Sequence, residues 1–153
     1  MRFDSAGLRV LSREQCLHLL ASTSIGRIVF TDRALPAVQP VVFCLHGESI
    51  VIRTTAGSKL ASATQDTVVA FEIDDFDARM STGWSVTVVG RARAVHDPEE
   101  MAHLAELPLA PWATNGRDHF VVMGAEEISG RRTALAERDA PPQPGPALGR
   151  LGW

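Results

Sequence analysis

Several features are missing from this chain, and each absence removes a class of function. Only two cysteines occur in 153 residues, Cys16 and Cys44. No Cys/His pair has zinc spacing and no His-Glu-x-x-His occurs, so no metal site is expected. Two small buried thiols in a reducing compartment are the simpler reading of the pair. There is no basic excess: 15 Lys and Arg stand against 18 Asp and Glu, for a net charge of −3. That balance excludes a nucleic-acid binder working by phosphate neutralisation. Long apolar runs are also lacking. The stretch from Val38 to Leu45 is strand-length and broken by Gln39 and Pro40, so no membrane span is expected. Met1 to Ser5 has no apolar signal-peptide core, which leaves a cytoplasmic domain as the expectation. With 45% hydrophobic residues, the chain is long enough for one well-buried core and short for two.

What is present is mostly strand. Ser12-Arg13-Glu14-Gln15 forms a capping box, and Leu17, Leu19 and Leu20 continue a helix to about Ser22. Five extended runs rich in Val, Ile, Phe and Thr follow: 25–31, 37–45, 49–54, 67–74 and 84–95. Gly90, inside the longest, predicts a bulge or a barrel corner. Asp97, Pro98, Glu99 and Glu100 open a second helix that stops before Pro108. Runs 119–123 and 127–132 close a domain assigned to residues 1–135. The proline-rich remainder, 136–153, predicts a disordered tail. Roughly seven strands joined by tight turns predict a mainly β protein with short helices, an antiparallel barrel rather than a parallel α/β sheet.

The most chemically pointed stretch is Arg53-Thr54-Thr55-Ala56-Gly57-Ser58-Lys59-Leu60. A strand delivers Arg53 and Thr54 into a glycine turn, and Ser58 and Lys59 open a short helix. Two cations and several hydroxyls at a helix start suit a phosphate. The alternative is a pair of surface cations. A lysine at a helix start is mildly unfavourable with the helix dipole, which tilts the balance toward a bound anion.

Other candidates carry two readings each. Trp84, heading a long strand, is either core packing or an aromatic platform, and Ser85 beside it a polar contact or a solvent-side residue. Pro111, Trp112, Asn115, Arg117 and His119 are either a pocket rim with His119 as proton donor or a polar strand start anchored by Trp112. His18, His46, His96 and His103 read as surface residues without partners. Asp74-Asp75-Phe76-Asp77 lacks the ligand spacing of a calcium loop and reads as a solvated turn.

Taken in order, several short pieces resemble the pyridoxamine 5′-phosphate oxidase-like flavoproteins, the flavin-binding split-barrel superfamily, from about Leu11 to Arg132. They are Ile25-Gly26-Arg27-Ile28-Val29-Phe30, Pro40-Val41-Val42-Phe43, Ile52-Arg53-Thr54 with Gly57-Ser58-Lys59-Leu60, and Val69 to Asp74. Gly83-Trp84-Ser85-Val86, Val89-Gly90-Arg91-Ala92 and Ile128 to Arg132 complete the set. The resemblance implies a split barrel and a homodimer with FMN at its interface. It assigns the cofactor phosphate to Arg53, Thr54, Ser58 and Lys59. Backbone near the ring comes from Pro40, Val41 and Val42, and ring or ribityl contacts from Trp84 and Ser85. Arg131 either faces the flavin or meets Glu126, Glu127 or solvent.

The implied activity is an oxidoreductase moving a hydride between a small-molecule substrate or nicotinamide and the flavin. A deazaflavin would use the same cations plus Arg91 or Arg131. Haem, with His119 as axial ligand, ranks low. The alternative class is a flavin-binding sensor or reservoir without turnover. The C-terminal arginine–histidine arrangement of true vitamin B6 oxidases has no counterpart here, so that substrate is not expected.

Overall fold

In a computed structural model of the chain, residues 1–110 and 118–133 are described. Their elements in order are β1 (Arg2–Phe3), β2 (Arg9–Val10), α1 (Arg13–Ala21), β3 (Ile25–Asp32), β4 (Leu35–His46) and β5 (Ser49–Thr55). Then follow α2 (Lys59–Ala63), β6 (Thr67–Asp77), β7 (Thr82–Ala94), α3 (Pro98–Ala105), β8 (Asp118–Gly124) and β9 (Glu127–Arg132). The expected tail, and residues 111–117 with Trp112 and Arg117, lie outside the described residues.

The strands form one antiparallel sheet in the order β1-β2-β9-β7-β6-β3-β4-β5-β8. Its length is closed by β7, which changes partner along one edge. From Trp84 to Val89 that edge pairs with β9, and from Ala92 to Ala94 it pairs with β8. This divided edge is the split of a split barrel. Gly90 sits where the partners change, and a Cβ there would lie 2.0 Å from the Gly124 carbonyl oxygen. Only a residue without a side chain lets the two backbones approach this closely.

Alternation along each strand sends one set of side chains into the barrel. Ile28, Phe43, Phe71 and Val88 meet there with essentially no exposure, and the Phe43 and Phe71 rings pack edge-on at 4.7 Å. A satellite cluster on the outside of β5 and β8 joins Val51 and Phe120 to Leu104 of α3 and to Leu109. The α1 capping box is complete: the Gln15 N–H donates to Ser12 Oγ, and the Ser12 N–H donates to Gln15 Oε1. That helix presses Cys16 and Leu20 onto the core, with Cys16 against Gly130 of β9.

Two sequence expectations are corrected. The acidic run Asp74 to Asp77 is the end of β6, paired residue by residue with Thr82–Ser85, and the turn lies beyond it. Its alternation explains this, because Asp74 faces outward while Asp75 lies opposite Trp84. Two small strands, β1 and β2, also extend the sheet beyond β9 through residues with little strand signal.

Candidate functional site

Register pairs can be followed across the barrel wall, since directly opposite residues share a face. A transverse row runs Phe120–Arg53, Val42–Ile25, Asp74–Ser85 and Arg131–Val10. Val42 and Arg53 stand one step beyond the registered pair Phe43–Ile52. Ile25 and Asp74 stand two beyond Arg27–Glu72. The row places Val42, Arg53, Ser85 and Arg131 on the outer face, with Pro40 two residues along β4. Val41, Thr54 and Trp84 turn to the opposite side, and Val41 and Trp84 pack on the core. The predicted residues are therefore divided between two faces.

The outer face is only partly covered. Over β5 and β8 the satellite cluster seals it. Over β3 and β4 it stays open, with Ile25 52% and Val38 64% exposed. A cavity of about 270 Å³ continues the row over β7 and β9, lined by Ser85, Thr87, Ser129 and Arg131. Arg131 donates to Asp4 at 3.4 Å, a partner that sequence reasoning did not supply. The Arg91 side chain is bound to Asp66, at 3.0 Å to its carbonyl and 3.3 Å to its carboxylate.

Arg53 is held from three sides. Its Nε and Nη2 donate to the Asp118 carboxylate at 3.0 and 2.6 Å, and its Nη1 donates to the Leu109 carbonyl at 2.7 Å. The guanidinium also lies 5.6 Å from the Phe120 ring centroid. The Asp118 hydrogen bond raises the Arg53 pKa and, reciprocally, holds the Asp118 carboxyl below its ordinary range. Of five guanidinium N–H groups, three are thus engaged.

Beyond β5, Gly57 takes φ +84° and turns the chain into α2. Ser58 caps that helix by accepting from the Ala61 N–H at 3.1 Å, and its hydroxyl lies 3.4 Å from Thr54 Oγ1. Lys59 is exposed and has no ion-pair partner among the described residues. With five residues, α2 has a small dipole, so the capacity for an anion rests on Lys59 and the hydroxyls.

His119 pairs across the sheet with Thr54, on the inner side of the wall. Its Nε2 is buried and unpartnered among the described residues. Burial, and then the charge of His96, lower its pKa. Three of the four histidines read as solitary have ring partners: His96 lies 6.4 Å from His119, and His46 lies 5.6 Å from His103.

The largest electrostatic anomaly lies at Glu72, which sequence reasoning passed over. Arg27 Nη1 stands 3.4 Å from Asp74 and 3.7 Å from Glu72, two residues apart on one face. Glu72 Oε1 is buried without a partner among the described residues. Burial, reinforced by the hydrogen bond and charge of Asp74, raises the Glu72 pKa from 4.5 to about 7 against the pull of Arg27. Glu and Asp at i and i+2 in a strand were the available signal. Asp118 had none, lying 65 residues from Arg53.

The comparisons agree with this architecture. Residues 12–132 match the profile of the family described as pyridoxamine 5′-phosphate oxidase. The uncharacterized protein Rv0080 of Mycobacterium tuberculosis is 40% identical over 133 residues, 84% of this chain and 87% of that protein. A solved FAD binding protein from Mycobacterium smegmatis is 37% identical, with a TM-score of 0.72 over 82% of this chain and 98% of that one. A conserved protein of unknown function from Corynebacterium diphtheriae is 32% identical, with a TM-score of 0.70 over 82% and 98%. With the divided edge of β7, the antiparallel wall and these matches, the chain belongs to the pyridoxamine 5′-phosphate oxidase-like family of flavin-binding split barrels.

Proposed function

We propose that this chain is a flavin-dependent oxidoreductase whose cofactor lies on the outer face of the barrel, where a second copy of the chain covers it. The observation that carries this reading is the transverse row, which aligns Arg53, Val42, Ser85 and Arg131 beside exposed Ile25 and Val38. A flat ring with one polar edge needs apolar cover plus a few donors, and this face offers both. The FAD bound by the 37%-identical M. smegmatis protein supports a flavin here.

Lys59, with the Ser58 hydroxyl beyond the end of β5, would neutralise and hydrogen-bond a cofactor phosphate, FMN being the smallest flavin that carries one. Ser85 would donate to a ring or ribityl oxygen, and the backbone of Pro40 and Val42 would flank the ring. A bound flavin supplies the hydride acceptor and donor. The chain's residues orient it and exclude water. The substrate is a small molecule or a nicotinamide reaching the open side of the face. The apolar exposure of Ile25 and Val38 is what a homodimer would bury.

The test is an absorption spectrum of the purified protein, as isolated and after loading with flavin and desalting. A retained band near ~450 nm is expected from the bound chromophore. Lys59→Ala should lose the band while melting as wild type does, because Lys59 supports nothing else among the described residues. Wild-type protein that keeps no chromophore, with FMN, FAD or a deazaflavin, would overturn the proposal. Anaerobic bleaching by a nicotinamide separates an enzyme from a module that only stores its flavin.

A further inference from the structure

We infer that a second copy of this chain docks on the middle of the outer face, and that the seam closes with the Glu72 carboxyl uncharged, so that assembly takes up protons. This rests on the reading above, in which a second copy covers that face, and adds to it what controls the covering.

Two further transverse rows lie parallel to the one that carries Ile25, Asp74 and Ser85. The nearer runs Pro40–Arg27–Glu72–Thr87–Ser129 and the farther Val38–Val29–Ala70–Val89–Glu127, each link a registered pair. Both rows leave the face opposite to Ile28, Phe71 and Val88, which fill the barrel. The farther row is apolar as far as Glu127 at its border, and Val38 within it is 64% exposed. The nearer row carries charge at its centre. There Arg27 and Glu72 stand side by side, with Asp74 adjoining them.

A face goes under a partner readily only when its charges are balanced, because an unpaired charge loses its hydration and gains nothing in return. Arg27 Nη1 lies 3.4 Å from Asp74 and 3.7 Å from Glu72, one guanidinium for two carboxyls. The surrounding strands bring no second cation to them. On this face β3 offers Arg27 between Ile25 and Val29, β4 offers Val38 and Pro40, and β7 offers Ser85, Thr87 and Val89. Arg131 of β9 is held by Asp4 at 3.4 Å. Neutrality therefore needs a proton on one of the two carboxyls. Glu72 is the one that keeps it: its Oε1 is buried without a partner among the described residues, and burial, then Asp74, raises its pKa from 4.5 to about 7. A two-fold contact sets the same patch of both copies together. Ionised, Glu72 brings a surplus negative charge from each copy into one seam; protonated, it brings none. Dimerisation accordingly tightens as pH falls through about 7 and weakens as pH rises beyond it.

The experiment is sedimentation equilibrium of the purified full chain from about pH 6 to about pH 8.5, for wild type, Glu72→Gln and Asp74→Asn. The wild-type Kd should weaken on the order of 100-fold across that range, since each of two protons per dimer contributes up to about tenfold per pH unit. Glu72→Gln has nothing to ionise and should hold its acid-end Kd throughout. Histidines titrate in the same range, and the difference between the two proteins cancels them. Asp74→Asn leaves a single carboxyl for Arg27, so Glu72 ionises as its partner and the pH dependence should flatten as well; this variant decides the matter if Glu72→Gln fails to fold. A wild-type dimer whose Kd is constant or tightens with rising pH, or a Glu72→Gln dimer with the wild-type slope, would overturn the inference and leave the covering copy in place. A wild-type chain that is monomeric at every pH would instead remove the covering copy, and the reading above would fail with it.

Discussion

Replacing Glu72 with glutamine should stabilise this protein above neutral pH and leave it unchanged in acid. Glu72 lies 3.7 Å from Arg27, a geometry that invites description as an ion pair. The surroundings argue otherwise. One carboxyl oxygen is buried without a partner among the described residues, and Asp74 holds the nearer approach to Arg27 at 3.4 Å. Burial first, then Asp74, moves the Glu72 pKa from 4.5 to about 7. Between those values the folded chain holds a proton that the unfolded chain releases. Stability therefore falls as pH rises from 4.5 through about 7, and the loss is complete above that.

At 1.36 kcal/mol per pH unit the full penalty is about 3 kcal/mol. Since the side chain keeps 28% of its exposure, solvent screening brings this to about 2 kcal/mol. Glutamine resembles the protonated carboxyl and has nothing to ionise. Melting curves of wild type and Glu72→Gln from about pH 3.5 to 8.5 should converge at the acid end, below the unfolded value of 4.5. They should diverge to about 4–8 °C in favour of the variant at pH 8, using the usual conversion for domains of this size. Taking the difference between the two proteins cancels every other titrating group. A variant that melts below wild type at pH 8 would refute the reasoning, because it would mean that the charged Glu72–Arg27 pair is net stabilising.

Three further outcomes are expected. The β3–β4 turn uses Arg33 and Ala34 at φ +51° and +65°, so the Asn-Gly pair of Arg33→Asn/Ala34→Gly should raise stability by about 1–2 kcal/mol in denaturant titration; a fall would show that the turn does not require left-handed residues. Gly130→Ala should cost about 1–3 kcal/mol, because its Cβ would lie 2.5 Å from Cys16 Sγ. Adding Cys16→Ala should return part of that loss, and strictly additive losses would contradict the contact. Val38→Glu, at a 64% exposed position, should leave a monomer's melting nearly unchanged but abolish self-association in sedimentation; an undiminished dimer would move the interface off this face.

Much of the architecture was legible because it rests on local chemistry. The Ser12 capping box, the Asp97 cap with Pro98 behind it, and the glycine turn at Gly57 each fix backbone geometry within a few residues. The seven long strands follow from alternating β-branched residues. Reading Asp74 to Asp77 as a turn failed because composition was weighed above alternation: outward-facing acids are compatible with a strand whose partner, Thr82 to Ser85, tolerates them. Reading His46, His96 and His103 as solitary failed for a different reason. His96 and His119 are brought together only by the fold.

The same division runs through the candidate site. Residue type and spacing determined that hydroxyls and a lysine would gather at the Gly57 turn, since that gathering needs only a tight turn and a helix start. They also determined the order of strands along the chain. Only the tertiary structure decided which residues share a face. A strand alternates its side chains, and the register with its neighbours settles whether Thr54 or Arg53, Trp84 or Ser85, looks outward. It alone decided that Arg53 meets Asp118 across 65 positions and that Glu72 keeps its proton near neutrality. Those two facts depend on desolvation and on the charge standing opposite, quantities that exist only once distant segments are packed together.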